Sequence, residues 1–194
     1  MFNEVLNATL RILFFRAGPQ DFPFAIGIRP ALLLLAATAN ALVFGQVLPL
    51  SMAIGIAVAM IGGMALVVRW TLRLRNLTVR FQQTFDSLLA TTLLLTLATV
   101  VPFSQVAPHL LELTKHPEAL QNPEAAVKLP TLPVLLMNLL NFWNFAVTAH
   151  IFRHAANVPM WVGFVIGFIA AGVMLFIGVV GGTFVGALFG APVS

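Results

Sequence analysis

The sequence predicts an all-α integral membrane protein, and three observations carry that prediction. Only 8% of its 194 residues are charged and 60% are hydrophobic, where soluble domains carry about a quarter charged. Its mean hydropathy of +0.99 belongs to a polytopic membrane protein. Its apolar residues also fall into five segments close to the roughly 20 residues that a helix needs to cross a bilayer. The length suits a single domain, residues 1–194, built as a bundle of a few spans.

Residues 1–16 read as an amphipathic helix. Phe2, Val5, Leu6, Leu10 and Leu13 fall on one face, and Asn3, Glu4, Asn7 and Arg11 on another, a pattern suited to lying in the headgroup plane. With Glu4, Arg11 and Arg16 and no small-residue cleavage site, these residues do not read as a secretory signal. Gly18, Pro19 and Pro23 in "RAGPQDFPF" end the helix.

Spans are expected near residues 30–48, 51–70, 87–103, 132–152 and 159–188. The link around Pro49 is so short that the first two must form an antiparallel hairpin. The fifth segment exceeds what one bilayer needs, so it must tilt, kink or continue beyond the surface. Between the third and fourth spans lies an outer loop, residues 104–131, edged by prolines, in which "HLLELTKH" and "PEALQNPEAAV" read as short surface helices.

The basic residues orient the bundle. Arg11, Arg16, Arg29, Arg69, Arg73, Arg75, Arg80 and Arg153 fall on one side of a five-span topology, and Lys115 and Lys128 on the other. Eight against two places the N-terminus in the cytoplasm and the C-terminus outside. This distribution explains the net charge of +4 better than nucleic-acid binding does. The expected membrane is a bacterial cytoplasmic (inner) membrane. With no cysteine in the chain, no disulfide or thiolate metal site is expected. No tyrosine is present, so an interfacial aromatic belt falls to Trp70, Trp143 and Trp161.

The fourth span poses a question. Asn138, Asn141, Asn144 and Thr148 fit within about 120° of helix surface, while Trp143, His150 and His154 take the opposite half. Each unpaired polar group facing lipid costs several kcal/mol, so the stripe should face the bundle interior. There it either glues helices together or lines a polar path or binding site. Asn40, Gln46, Gln82, Asp86 and Thr91 are candidates to answer it. Asp86 is the one acid that could sit at membrane depth. Only six residues after Arg80, it reads first as a boundary residue and second as a site of ion coupling.

Three further patterns complete the inventory. Gly178, Gly182, Gly186 and Gly190 recur every four residues, and Gly163 and Gly167 precede them. Such ridges let helices approach closely, either within the chain or in a homo-oligomer or larger membrane complex. Arg69, Arg73, Arg75 and Arg80 could hold anionic lipid headgroups or simply set topology. His109, Glu112 and His116 share a helical face and form a weak candidate zinc set. The sequence has no HExxH, no GxSxG and no Gly-rich nucleotide loop, so no enzyme and no cofactor is expected. The expected function is a scaffold or accessory subunit that associates through the glycine ridges. The alternative is a small transporter or channel component with an Asn-lined path.

The stretch "NFWNFAVTAHIFRHAANVPMWVGFVIGFIAAGV" resembles the bacterial end of the YIP (Ypt/Rab-interacting protein) domain family. Trp143, the turn at Arg153–His154 and Trp161 carry the likeness, together with the basic link "RLRNLTVRFQQTF" and five closely set spans. Gly18–Pro19 matches a feature of eukaryotic members, but Asp21 follows it where their acids precede. The resemblance implies a non-enzymatic integral membrane protein engaged in membrane organisation.

Overall fold

The computed structural model describes residues 2–24, 27–115 and 128–189. These form six α-helices, α1 (Phe2–Leu13), α2 (Arg29–Phe44), α3 (Leu50–Leu74), α4 (Phe81–Lys115), α5 (Thr131–Ala155) and α6 (Met160–Leu188), and two short 3-10 turns at Pro19–Asp21 and Thr78–Arg80. No strand occurs among the described residues. Four helices, α3 to α6, are long and apolar enough to cross a membrane. α2, at 16 residues, is apolar but shorter. It ends at Phe44 where the sequence led us to expect residue 48, because the chain turns through Gly45–Leu48 before Pro49 caps α3.

The segment expected as the outer loop needs correction. α4 does not stop at Phe103 but continues to Lys115, 35 residues in all, with Pro102 and Pro108 inside it. At 1.5 Å per residue that is about 52 Å, well beyond a hydrocarbon core of about 30 Å. Each proline removes one backbone donor without unwinding the helix, since the remaining ladder bonds hold it. "HLLELTKH" therefore belongs mostly to the end of α4. "PEALQNPEAAV" lies entirely outside the described residues.

The helices pack as neighbours set by short turns. α3 and α6 share the most extensive contact, and α4 packs on α2 and α5. Small residues decide the α3–α6 crossing. A Cβ on Gly181 would sit 2.4 Å from the Ala59 Cβ, and one on Gly55 would sit 2.9 Å from the Gly181 carbonyl oxygen. Gly178 and Gly182 face Met60 and Ile56 of α3 in the same way. Gly163 faces the Ala149 carbonyl and Gly167 the Phe145 ring, both on α5. Gly186 is buried and Gly190 lies outside the described residues. The described glycines of the ridge are thus covered from within the chain.

Three helix ends close in one motif. Arg16 and Phe15 donate to the carbonyls of Arg11 and Ile12, Leu77 and Asn76 to those of Leu72 and Arg73, and Val158 to that of Arg153. The residue in the left-handed region is Asn76 (φ 55°) and Asn157 (φ 50°) in two cases, but Phe15 (φ 59°) in the first. Asparagine tolerates this backbone and phenylalanine does not. Phe15 is held there by tertiary contacts: its ring lies 6.0 Å from that of Trp143 and 5.2 Å, edge-on, from His150.

These contacts belong to a clamp that binds the N-terminal segment to α5. Trp143 Nε1 donates to the Leu13 carbonyl at 3.0 Å, and the ring of Phe14 meets the indole edge-on. Buried His150 holds the Ala17 carbonyl at 3.0 Å through Nε2. A carbonyl only accepts, so Nε2 carries the proton. α1 buries Val5, Ala8, Thr9, Ile12 and Leu13 against the bundle and leaves Phe2, Leu6 and Leu10 exposed. Trp143→Phe keeps an aromatic ring but loses the hydrogen bond, about 1 kcal/mol. Amide hydrogen exchange over residues 2–17 is expected to accelerate roughly fivefold, with α3 and α6 unchanged. Equal acceleration throughout the protein would mean that Trp143 supports the whole bundle.

Candidate functional site

The interior of the bundle holds a chamber of about 210 Å³, mostly apolar in its lining but edged by two rows of polar side chains. α5 contributes Asn141, Asn144 and Thr148, and α4 contributes Thr92, Thr96 and Thr99. The two rows have spacings of i, i+3, i+7 and i, i+4, i+7, so each keeps to one helical face. α2 adds Asn40, and α3 and α6 supply Met60, Met64 and Met174 as an apolar wall. Leu88 and Phe152, both 1% exposed, also line the chamber and seal it toward the arginine-rich end. Asn141 is exposed and marks the open end.

The polar groups of this chamber are unusually idle. Serine and threonine in apolar helices normally return their hydroxyl to the carbonyl one turn back. Thr99 does so, to Leu95 at 2.9 Å, and Asn40 Nδ2 does the same to Ala36 at 2.8 Å. Asn141, Asn144, Thr92, Thr96 and Thr148 have no side-chain hydrogen bond among the described residues. Asn144 Oδ1 is buried with no partner among the described residues. Leaving a buried polar atom unmatched costs about 1–3 kcal/mol. The amides do not bond to one another, so they do not act as glue within the chain. No charged residue lines the chamber.

Not every residue expected in this stripe belongs to it. Asn138 is exposed and stands apart from the chamber. The first half of α5 also leaves Leu132, Leu135, Leu136 and Leu139 exposed. Asp86 is also elsewhere. Its carboxylate takes a bidentate pair from Arg29, Nε to Oδ1 at 2.7 Å and Nη2 to Oδ2 at 2.9 Å, tying the start of α2 to the start of α4. Thr91 is buried and returns its hydroxyl to Ser87, and Gln46 reaches the Val100 carbonyl. The threonines that do line the chamber are one residue and more further along α4. Adjacent threonines differ by about 100° of helix phase, and the sequence has no marker for which one turns inward.

The arginines divide into two pairs. Arg75 Nε donates to the Ala156 carbonyl, and Arg80 Nη1 donates to the carbonyls of His154 and Ala155 and to Asn157 Oδ1. They cap the C-terminal carbonyls of α5, where cations also suit the helix dipole. Arg69 and Arg73 are exposed. His109 and Glu112 lie on the far extension of α4, and His116 is outside the described residues. Among the described residues no group of three or more His, Cys, Asp or Glu side chains converges.

No family model, no curated protein and no solved structure matches this chain.

Proposed function

We propose that this protein is a non-enzymatic membrane protein that binds or passes a small, uncharged polar solute in its Asn/Thr chamber, as a small transporter or channel component. The observation that carries this reading is the unpartnered Asn144 Oδ1 among five idle polar side chains. In a membrane bundle such groups belong to a pathway or a ligand, because nothing else there repays their desolvation. The chamber has room for on the order of ten waters. An uncharged lining selects hydrogen-bonding neutral solutes over ions. In this reading α2 to α6 are five spans, α1 rests in the headgroup region, and the arginine-rich end faces the cytoplasm of a bacterial inner membrane. The likeness to the YIP domain family agrees with such a five-span design.

The test is flux of glycerol and urea into proteoliposomes. Replacing Asn141 and Asn144 together by leucine is expected to cut flux at least about tenfold while thermal stability holds or rises, because a costly unmatched atom is removed. Asn138→Leu, outside the chamber, should leave flux unchanged. No flux above protein-free liposomes, or full flux in the double variant, sinks the reading.

A second reading, an accessory subunit that joins a homo-oligomer or larger complex, draws on the outward face of α6. Phe168, Leu175, Phe176, Val179 and Phe184 are all exposed there. Its measure is native mass in mild detergent.

A further inference from the structure

α3 and α6 cross closely at their glycine-rich halves and part at the other end. The parting leaves an apolar groove of about 770 Å³. Leu66, Trp70 and Leu74 line one wall, and Trp161, Val162 and Ile169 the other. Trp70 and Trp161 are 72% and 69% exposed, which would be wasteful for indoles anywhere but at a membrane interface.

The mouth of this groove is built for a negative charge. Arg75 lines it and bonds only through Nε, so its terminal nitrogens have no partner among the described residues. α6 begins at the same mouth, behind Pro159, which caps it with no side-chain hydrogen bond. Its first N–H groups and its positive dipole end therefore also lack a partner. Among the described residues no acid lines the groove. From mouth to end it runs about 14 Å along α3 (Leu66 to Arg75) and about 21 Å along α6 (Pro159 to Val173). That range brackets the roughly 15 Å depth of one leaflet.

We propose that this groove is a binding site for an anionic phospholipid of the leaflet at the arginine-rich end. An acyl chain lies between α3 and α6, and the phosphate sits between Arg75 and the start of α6. The proposal does not rest on the reading of the chamber, although the two spaces abut at Val67, which lines both. It is sharper than a general attraction of basic residues to anionic lipid, since it singles out Arg75 over Arg69 and Arg73, which do not line the groove.

The test is native mass spectrometry of the full chain released from nanodiscs of equimolar phosphatidylglycerol and phosphatidylcholine with matched acyl chains. The wild type is expected to retain one phosphatidylglycerol in preference to phosphatidylcholine, by roughly fivefold. Arg75→Gln should abolish the preference and Arg73→Gln should preserve it. Ile169→Trp, which fills the groove without touching the charges, should lose the bound lipid of either kind. Equal loss of preference in Arg75→Gln and Arg73→Gln would overturn the site in favour of diffuse charge. Lipid retention unchanged by Ile169→Trp would overturn it as well, and that variant decides the matter if Arg75→Gln does not fold.

Discussion

Asp86→Ala is expected to be among the most damaging single substitutions in the chain. The Asp86 side chain is 7% exposed and its only described partner is Arg29, itself 23% exposed. Removing the carboxylate leaves a guanidinium half-withdrawn from water without its counter-charge. Breaking one side of a buried pair costs about 3–5 kcal/mol, and the partial exposure of Arg29 favours the lower end. The melting temperature in detergent should fall by several degrees. The double variant Arg29→Ala/Asp86→Ala should recover part of that loss, because the orphaned charge goes too. If the double variant is as unstable as the sum of the two singles, the pair contributes no mutual stabilisation. Asp86→Asn separates structure from transport: it removes the charge but keeps hydrogen-bonding capacity toward Arg29. Solute flux should survive it, since Asp86 does not line the chamber. Flux lost in a folded Asp86→Asn would return Asp86 to an ion-coupling role.

The second large effect is steric. A Cβ at Gly163 would stand 2.4 Å from the carbonyl oxygen of Ala149. The atom it meets is backbone and cannot turn aside, so relief requires α5 and α6 to move apart. Overpacking of this kind costs about 1–3 kcal/mol, at times more, and Gly163→Ala should reach the upper part of that range in thermal or denaturant unfolding. Gly62 and Gly172 provide the contrast. A Cβ at either meets nothing within 4 Å, and alanine is the better helix former by about 0.8–1 kcal/mol. Gly62→Ala and Gly172→Ala should therefore be neutral to stabilising. Should all three substitutions behave alike, helix propensity rather than close approach governs these glycines. Leucine at Gly182 is likewise expected to disturb α3–α6 packing inside the chain, its Cβ meeting Ile56 at 2.4 Å, before it alters any association between chains.

Much of this architecture is written in local composition. Apolar blocks of bilayer length specify α3, α5 and α6 to within about four residues at each end, because in lipid a continuous helix is the only way to satisfy every backbone group of such a segment. The inward amides at Asn141 and Asn144 followed from helical phase and the cost of exposing them to lipid. The glycine periodicity marked a close-packed face, but period alone does not name the neighbour. That α3 covers Gly178 and Gly182, and α5 covers Gly163, depends on which helix lies alongside.

Other features were invisible along the chain for one physical reason: they arise between residues far apart in sequence. Arg29 and Asp86 are 57 positions apart, and Trp143 and Leu13 are 130 apart. Neither pair has a local signature. Pro102 and Pro108 signalled a helix end that the surrounding ladder of α4 overrode. Thr92, Thr96 and Thr99 face the chamber while Thr91 does not, because the rotation of α4 is set by its packing against α2 and α5. The sequence by itself determined that this is a helical membrane protein with polar residues committed to its interior. Only the tertiary structure decided that those residues line a chamber and do not bond to one another, since that depends on how far apart the packed helices stand.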